Sequence, residues 1–165
     1  MRSVLAGVVL LGLIMPATAA SARDSLGVFG EWGAFRDPET PRCYAIAKAA
    51  PSRLQRDHDP FASIGTWPTR KVRGQIHFRV SRTLNPERPI TLRVGEKDFI
   101  LNGSGPNAWA KNSAADSAIM AAIRAAGSMT ISASDARGRR FSNTYDLNGA
   151  ATAMDAATVG CARLG

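Results

Sequence analysis

The chain is short of the residue types that most enzymes use. It has two histidines, His58 and His77, and two cysteines, Cys43 and Cys161. Neither pair has the close spacing of a zinc site or of a Cys-x-x-Cys redox pair. Gly103-Ser104-Gly105 is no nucleophile elbow, because Asn102 stands where the first glycine belongs. Gly103, Gly105 and Ala108 echo a dinucleotide fingerprint, but Pro106 interrupts it and no βαβ unit surrounds it. These absences leave no catalytic set, no metal site and no cofactor to predict. Long apolar runs are also missing: the one from Val4 to Met15 has 12 residues, where a membrane-spanning helix needs about 20.

That short run has a different meaning. Arg2 precedes it, Pro16 breaks it, and small residues follow through Ala22. This is the order of a secretory signal, with cleavage after Ala19 or Ala22. Residues 1–22 are therefore a leader and 23–165 a single domain, with no transmembrane segment once the leader is gone. No cysteine follows either cleavage site to carry a lipid. A domain of this size buries roughly two-thirds of its unfolded surface, enough for one core. In an oxidising compartment Cys43 and Cys161 are expected to pair, tying the start of the fold to its end. Such a bridge stabilises by about 4 to 5 kcal/mol in the chain-entropy model. The expected location is the periplasm or the exterior of a bacterium.

The pattern of the mature chain is mostly β. Leu26 to Arg36 reads as one strand interrupted at glycines, with Trp32 buried, and Cys43 to Ala50 as a second. Pro51 to Arg70, with three prolines, reads as a long irregular connection. Val72 to Arg82 alternates strictly, with Ile76, Phe78 and Val80 facing one way and His77 and Arg79 the other. Ile90 to Val94 and Lys97 to Leu101 flank the hairpin signal Gly95-Glu96. A glycine-rich loop, Asn102 to Asn107, follows.

Ser113 to Gly127 carries an unbroken apolar stripe from Ala115 to Ala126, with Ser113 as N-cap and Asp116 in the first turn. Met129, Ile131 and Ala133, then Phe141, Asn143 and Tyr145, mark a hairpin around the turn Asp135 to Gly138. A last helix starting near Asn148 puts Ala150, Ala153, Met154, Ala157 and Cys161 on one stripe. The fold expected is mainly β: an antiparallel β-sandwich of six to eight strands with two short helices and one disulfide.

Acidic residues are scarce as well. Without the leader, 20 basic side chains face 13 acidic ones, a net charge of +7. Arg70, Lys71, Arg73, Arg79, Arg82, Arg88, Arg93 and Lys97 fall in one window against Glu87 and Glu96. Such a block attracts anionic partners and equally makes an ordinary solvated sheet face. The window has no interleaved stacking aromatics and no groove-reading helix, so nucleic acid is not expected. An anionic envelope polymer or a protein partner fits an exported protein better. Candidate contacts are Arg70, Lys71, Arg73, Arg79 and Arg93, with Trp67 as an aromatic platform in the proline-rich stretch. Trp32 and Trp109 read as core plugs. Asp57-His58-Asp59 offers donors, but adjacent residues seldom converge on one ion. His77 reads as surface.

Several segments taken together have a familiar order: Gly30-Glu31-Trp32-Gly33, Cys43-Tyr44, the pair ITLRVG and KDFIL, the alanine-rich helix, SMTIS and YDLNGAATAM. In this order the chain resembles the invasion-associated locus B family of exported α-proteobacterial proteins. The resemblance implies an envelope β-sandwich linked to host-cell invasion without a defined enzymatic activity. The chain departs from the family pattern in lacking a central cysteine pair between Ala108 and Ala115. The function expected is thus a non-enzymatic envelope protein binding an anionic partner. The alternative is a small periplasmic hydrolase or an enzyme inhibitor working through residues 51–70. No pattern sets an oligomeric state.

Overall fold

Alternating apolar residues resolve into strands wherever the period of two is sustained, and the computed structural model, which describes residues 23–162, contains ten of them. The leader expected at residues 1–22 lies outside the described residues. The strands are β1 (Asp24–Phe29), β2 (Trp32–Asp37), β3 (Arg42–Lys48), β4 (Phe61–Trp67), β5 (Val72–Arg79), β6 (Ile90–Val94), β7 (Lys97–Ser104), β8 (Asn107–Ala110), β9 (Ser128–Ser134) and β10 (Arg140–Asp146). Two helices are added, α1 (Ser113–Ile123) and α2 (Ala150–Cys161). Among the described residues no helix is long and apolar enough to cross a membrane.

The strands form one antiparallel sheet in the order β1-β2-β3-β4-β5-β8-β7-β6-β9-β10. The sheet folds over on itself, so that inward side chains of β10 meet those of β5. Tyr145 and Phe78 have ring centroids 5.7 Å apart. Asn143 accepts from the Ser81 N–H at 3.0 Å and donates to Ser81 Oγ at 3.0 Å. The far edge is tied back by the Ala50 N–H, which donates to Thr144 O at 2.8 Å, and by Trp32 Nε1, which donates to Asp146 O at 2.8 Å. The result is an antiparallel β-sandwich built from a single sheet, with two helices packed on it.

Both helices cover the apolar inner face. The α2 stripe Ala150, Ala153, Met154, Ala157 and Cys161 is buried against β1 to β4, whose own inner residues, Ala45, Ala47 and Ala62, are small enough for close approach. Cys161 is bonded to Cys43 of β3 with Cα atoms 5.6 Å apart, so the expected bridge is present. The α1 residues Ile119 and Ile123 are buried against β5 to β8, each stabilising the fold by roughly 1.5 to 3 kcal/mol.

Four local expectations are corrected. Leu26 to Arg36 is not one interrupted strand but the hairpin β1–β2, turning at Gly30 and Glu31, with Phe29 paired to Trp32. Gly30 takes φ +54°, the left-handed value a two-residue turn requires. The stretch from Pro51 to Arg70 is irregular only as far as Pro60. Phe61–Trp67 is a central strand, because its prolines sit outside the paired segment, and Pro68–Arg70 is a single 3-10 turn. The glycine-rich loop is likewise paired, as β7 and β8 join through Gly105 and Pro106. Helix α1 is capped by Asn112 rather than Ser113, its side-chain oxygen accepting from the Ala115 N–H at 2.9 Å, and it ends at Ile123 rather than Gly127.

Candidate functional site

The outer face of the sheet is set by the same alternation that fills the core. With Ile76 and Phe78 inward, β5 must turn Arg73, Gln75, His77 and Arg79 outward. Register then brings residues from five other strands alongside them. One rung runs Ile46, Ser63, His77, Trp109 and Asn102 across β3, β4, β5, β8 and β7. The next runs Lys48, Phe61, Arg79 and Asn107. On the other side lies Phe35, Tyr44, Gly65 and Gln75.

His77 is at the centre of this surface. Its ring stacks on Trp109 with centroids 5.4 Å apart and meets the edge of Phe61 at 5.5 Å, while Nε2 donates to Asn107 Oδ1 at 3.0 Å. Partial burial among these rings pushes its pKa below the usual histidine value. The Asn107 hydrogen bond opposes that shift and the Arg79 charge adds to it. The imidazole is therefore neutral at pH 7 and adds a polar edge to an aromatic surface.

The third rung is built on a glycine. A side chain at Gly65 would meet the six-membered ring of Trp67 at 2.6 Å, so the indole occupies the space over the bare backbone. The same spacing recurs in β2, where the Phe35 ring covers Gly33 at 2.8 Å. Phe35 stacks on Tyr44 at 5.7 Å, and the Arg42 guanidinium lies 4.9 Å from the Tyr44 centroid. Trp67, Phe35, Phe61 and Trp109 are each only half-buried. Phe35 and Trp67 lie over their own strands with one face covered, while Trp109 has one face against the His77 ring.

The six predicted partner-binding residues are not all in one place. Trp67, Arg70, Lys71 and Arg73 follow each other around the β4–β5 turn, with Lys71 in the left-handed region at φ 56°. Arg79 sits one rung beyond His77, across Phe61 from Lys48. Lys48, Arg70, Lys71, Arg73 and Arg79 are exposed, and none takes part in an ion pair among the described residues. Arg93 differs. It lies on β6, away from this group, and forms a two-pronged bond with Asp98 at 2.8 and 2.7 Å that neutralises it. Each partner raises the tendency of the other to stay charged.

Lys48, Tyr44, Phe35, Phe61, His77 and Trp109 were not in the predicted set. Within the basic window Phe78 faces the core, so apart from His77 the rings of this surface come from neighbouring strands. Trp109, expected as a core plug, is instead on the outer rung next to His77. Trp32 is fully buried as expected.

The remaining candidate, Asp57-His58-Asp59, is held by backbone. The N–H groups of Asp57 and His58 both donate to Ser81 O, at 2.9 and 3.2 Å, and Asp57 lies 3.9 Å from Arg82. Beside it a hollow of about 320 Å³ is lined by Gln55, Asp57, Arg82, Asp135 and Arg139. Its one buried carboxylate, Asp135, is saturated. Arg139 Nε donates at 2.8 Å, the N–H groups of Arg137 and Arg139 at 2.9 Å each, and Arg82 at 3.4 Å. Burial opposes the charge, but these donors together hold the Asp135 carboxyl below its usual range. Such a cluster staples the loop to the sheet. Among the described residues no three His, Cys, Asp or Glu side chains are grouped as a metal site. No family model, curated protein or solved structure matches the chain.

Proposed function

We propose that this chain is an exported, non-enzymatic cell-envelope protein, similar to invasion-associated locus B proteins, that holds an anionic partner on the outer face of β4, β5 and β8. One observation carries this reading. Five exposed cations, Lys48, Arg70, Lys71, Arg73 and Arg79, form no ion pair among the described residues and share β3, β4, β5 and the β4–β5 turn with half-buried aromatic rings. Charge of one sign around a low-dielectric surface focuses the field and draws in the opposite sign. Arg93, neutralised by Asp98, is left out of the surface.

The leader pattern of residues 1–22 and the Cys43–Cys161 bridge support an oxidising, extracytoplasmic setting. N-terminal sequencing of protein from the periplasm tests the export step, with a start at Ala20 or Arg23 expected and an intact Met1 counting against it. Binding is tested by titrating immobilised acidic polymers at rising salt. Binding at low salt that weakens as salt increases is expected. Replacing both Arg73 and Arg79 with alanine weakens it about tenfold, since each exposed pair is worth up to about 1 kcal/mol. Undetectable binding at low salt overturns the proposal.

A further inference from the structure

A bare polyanion needs only cations. It gives no reason for two glycines to be vacated so that indole and phenyl rings can lie over the backbone of the same face as those cations. Trp67 covers Gly65 and Phe35 covers Gly33, so one ring face is spent on the sheet and the other faces solvent. Rings held this way do not project, which argues against insertion into a lipid bilayer, where aromatic and aliphatic tips must reach past the headgroups. They present instead a low, flat apolar surface. Between the rings stand carboxamides and hydroxyls: Gln75 beside Gly65, Ser63 beside His77, and Asn102 and Asn107 beside Trp109.

Flat apolar faces alternating with hydrogen-bonding edges match one kind of ligand. A sugar ring has an apolar face of C–H groups and a rim of hydroxyls, so it stacks on an aromatic ring while its rim meets amides. From β2 to β8 the sheet order crosses four strand intervals, β2-β3-β4-β5-β8, a span of about 19 Å at roughly 4.8 Å each. That is long enough for several sugar residues in a chain. Acidic groups on such a chain would reach Lys48, Arg73 and Arg79, and arginine binds carboxylates through two parallel bonds.

We infer that the anionic partner is an acidic polysaccharide, whose sugar rings stack on Trp67 and Trp109 while its acidic groups reach Arg73, Arg79 and Lys48. This rests on the anion-binding reading above and adds the ligand class to it. The full mature protein is titrated with polygalacturonate, with inorganic polyphosphate as an anionic polymer lacking rings, and with neutral dextran. The wild type is compared with Trp67→Ala, Trp109→Ala and Arg79→Ala. Because Trp109 also packs on His77, Trp109→Leu, which keeps an apolar side chain, is carried alongside, and near-UV circular dichroism checks that each variant is folded.

The expected result is polygalacturonate binding with a shift in tryptophan fluorescence, weakened about tenfold by either tryptophan replacement. Polyphosphate binding is expected to weaken in Arg79→Ala and to be unmoved in the tryptophan variants. Dextran is expected to bind weakly or not at all. If polygalacturonate binding is unchanged in folded Trp67→Ala and Trp109→Leu protein, the sugar-stacking inference is overturned while the anion-binding proposal stands. If neither charged polymer binds the wild type at low salt, both fail.

Discussion

The carboxylate of Asp116, in the first turn of α1, accepts a hydrogen bond from the Ile76 N–H of β5 at 2.8 Å. The helix is thereby fastened to the strand that carries His77 on its other face. Burial pushes the Asp116 carboxyl above the ordinary aspartate value, and the Ile76 bond only partly offsets this.

The sign of the pH effect follows. The folded state keeps its proton to higher pH than the unfolded chain, so stability from this group is greatest below about pH 3.8 and is lost as pH rises through the raised value. Asp116→Asn keeps an acceptor for Ile76 and removes the buried charge. Urea denaturation at pH 7 should find it as stable as the wild type or more so, with the slope above pH 4 reduced. Asp116→Ala leaves the Ile76 N–H unpaired and should lose about 1 to 3 kcal/mol at every pH.

The Cys43–Cys161 bond closes a loop with a sequence separation of 118 residues. Constraining the unfolded chain over that length stabilises by up to about 4 to 5 kcal/mol. The double variant Cys43→Ala, Cys161→Ala should show a lower urea midpoint, with most of the loss reproduced in wild-type protein by reductant. An unchanged midpoint would mean that the docking of α2 on β3 is secured by its alanine stripe alone.

Tyr145 carries the opposite lesson about buried polar groups. Its ring is fully buried against Phe78, yet among the described residues its hydroxyl has no hydrogen-bond partner. Burial drives the phenol well above its usual pKa, with the Arg56 charge opposing. Tyr145→Phe removes an unpaired hydroxyl and keeps the packing, so its melting temperature should equal or exceed that of the wild type. Tyr145→Ala should lose about 3 to 5 kcal/mol by opening a cavity.

Much of the sandwich was legible in the sequence because strand alternation is local. Ile76, Phe78 and Val80 are buried where their period places them, and so are Met129, Ile131, Phe141 and Tyr145. Cys161 was legible as the partner of Cys43 through the α2 stripe. Asn143 shares the inward face with Phe141 and Tyr145, as its spacing places it, and Ser81, 62 residues away in sequence, satisfies it. What local pattern did not show was pairing between distant strands. Prolines around Phe61–Trp67 hid β4, and without β4 nothing joins Tyr44 to His77. The glycine-x-aromatic spacing at Gly27 and Phe29, Gly33 and Phe35, and Gly65 and Trp67 was the available signal. It marks rings that lie on their own strand.

His77 makes the candidate face sensitive to acid. Burial lowers its pKa first, with Arg79 adding to the effect and the Asn107 bond opposing it, so the folded state gives up its proton more readily than the unfolded chain. Between the lowered value and about 6.5 the unfolded chain binds more protons, and stability should decline as pH falls through that window. His77→Gln, which keeps a hydrogen-bonding side chain beside Asn107, should flatten this decline. Protonation also adds a sixth cation to the five around the rings, so affinity for an acidic polymer should rise on acidification in the wild type and stay level in His77→Gln. The polymer's own acidic groups must remain ionised for the comparison, which dextran sulfate ensures. If the two proteins gain affinity equally as pH falls, the gain belongs to other groups and His77 acts only as part of the aromatic surface.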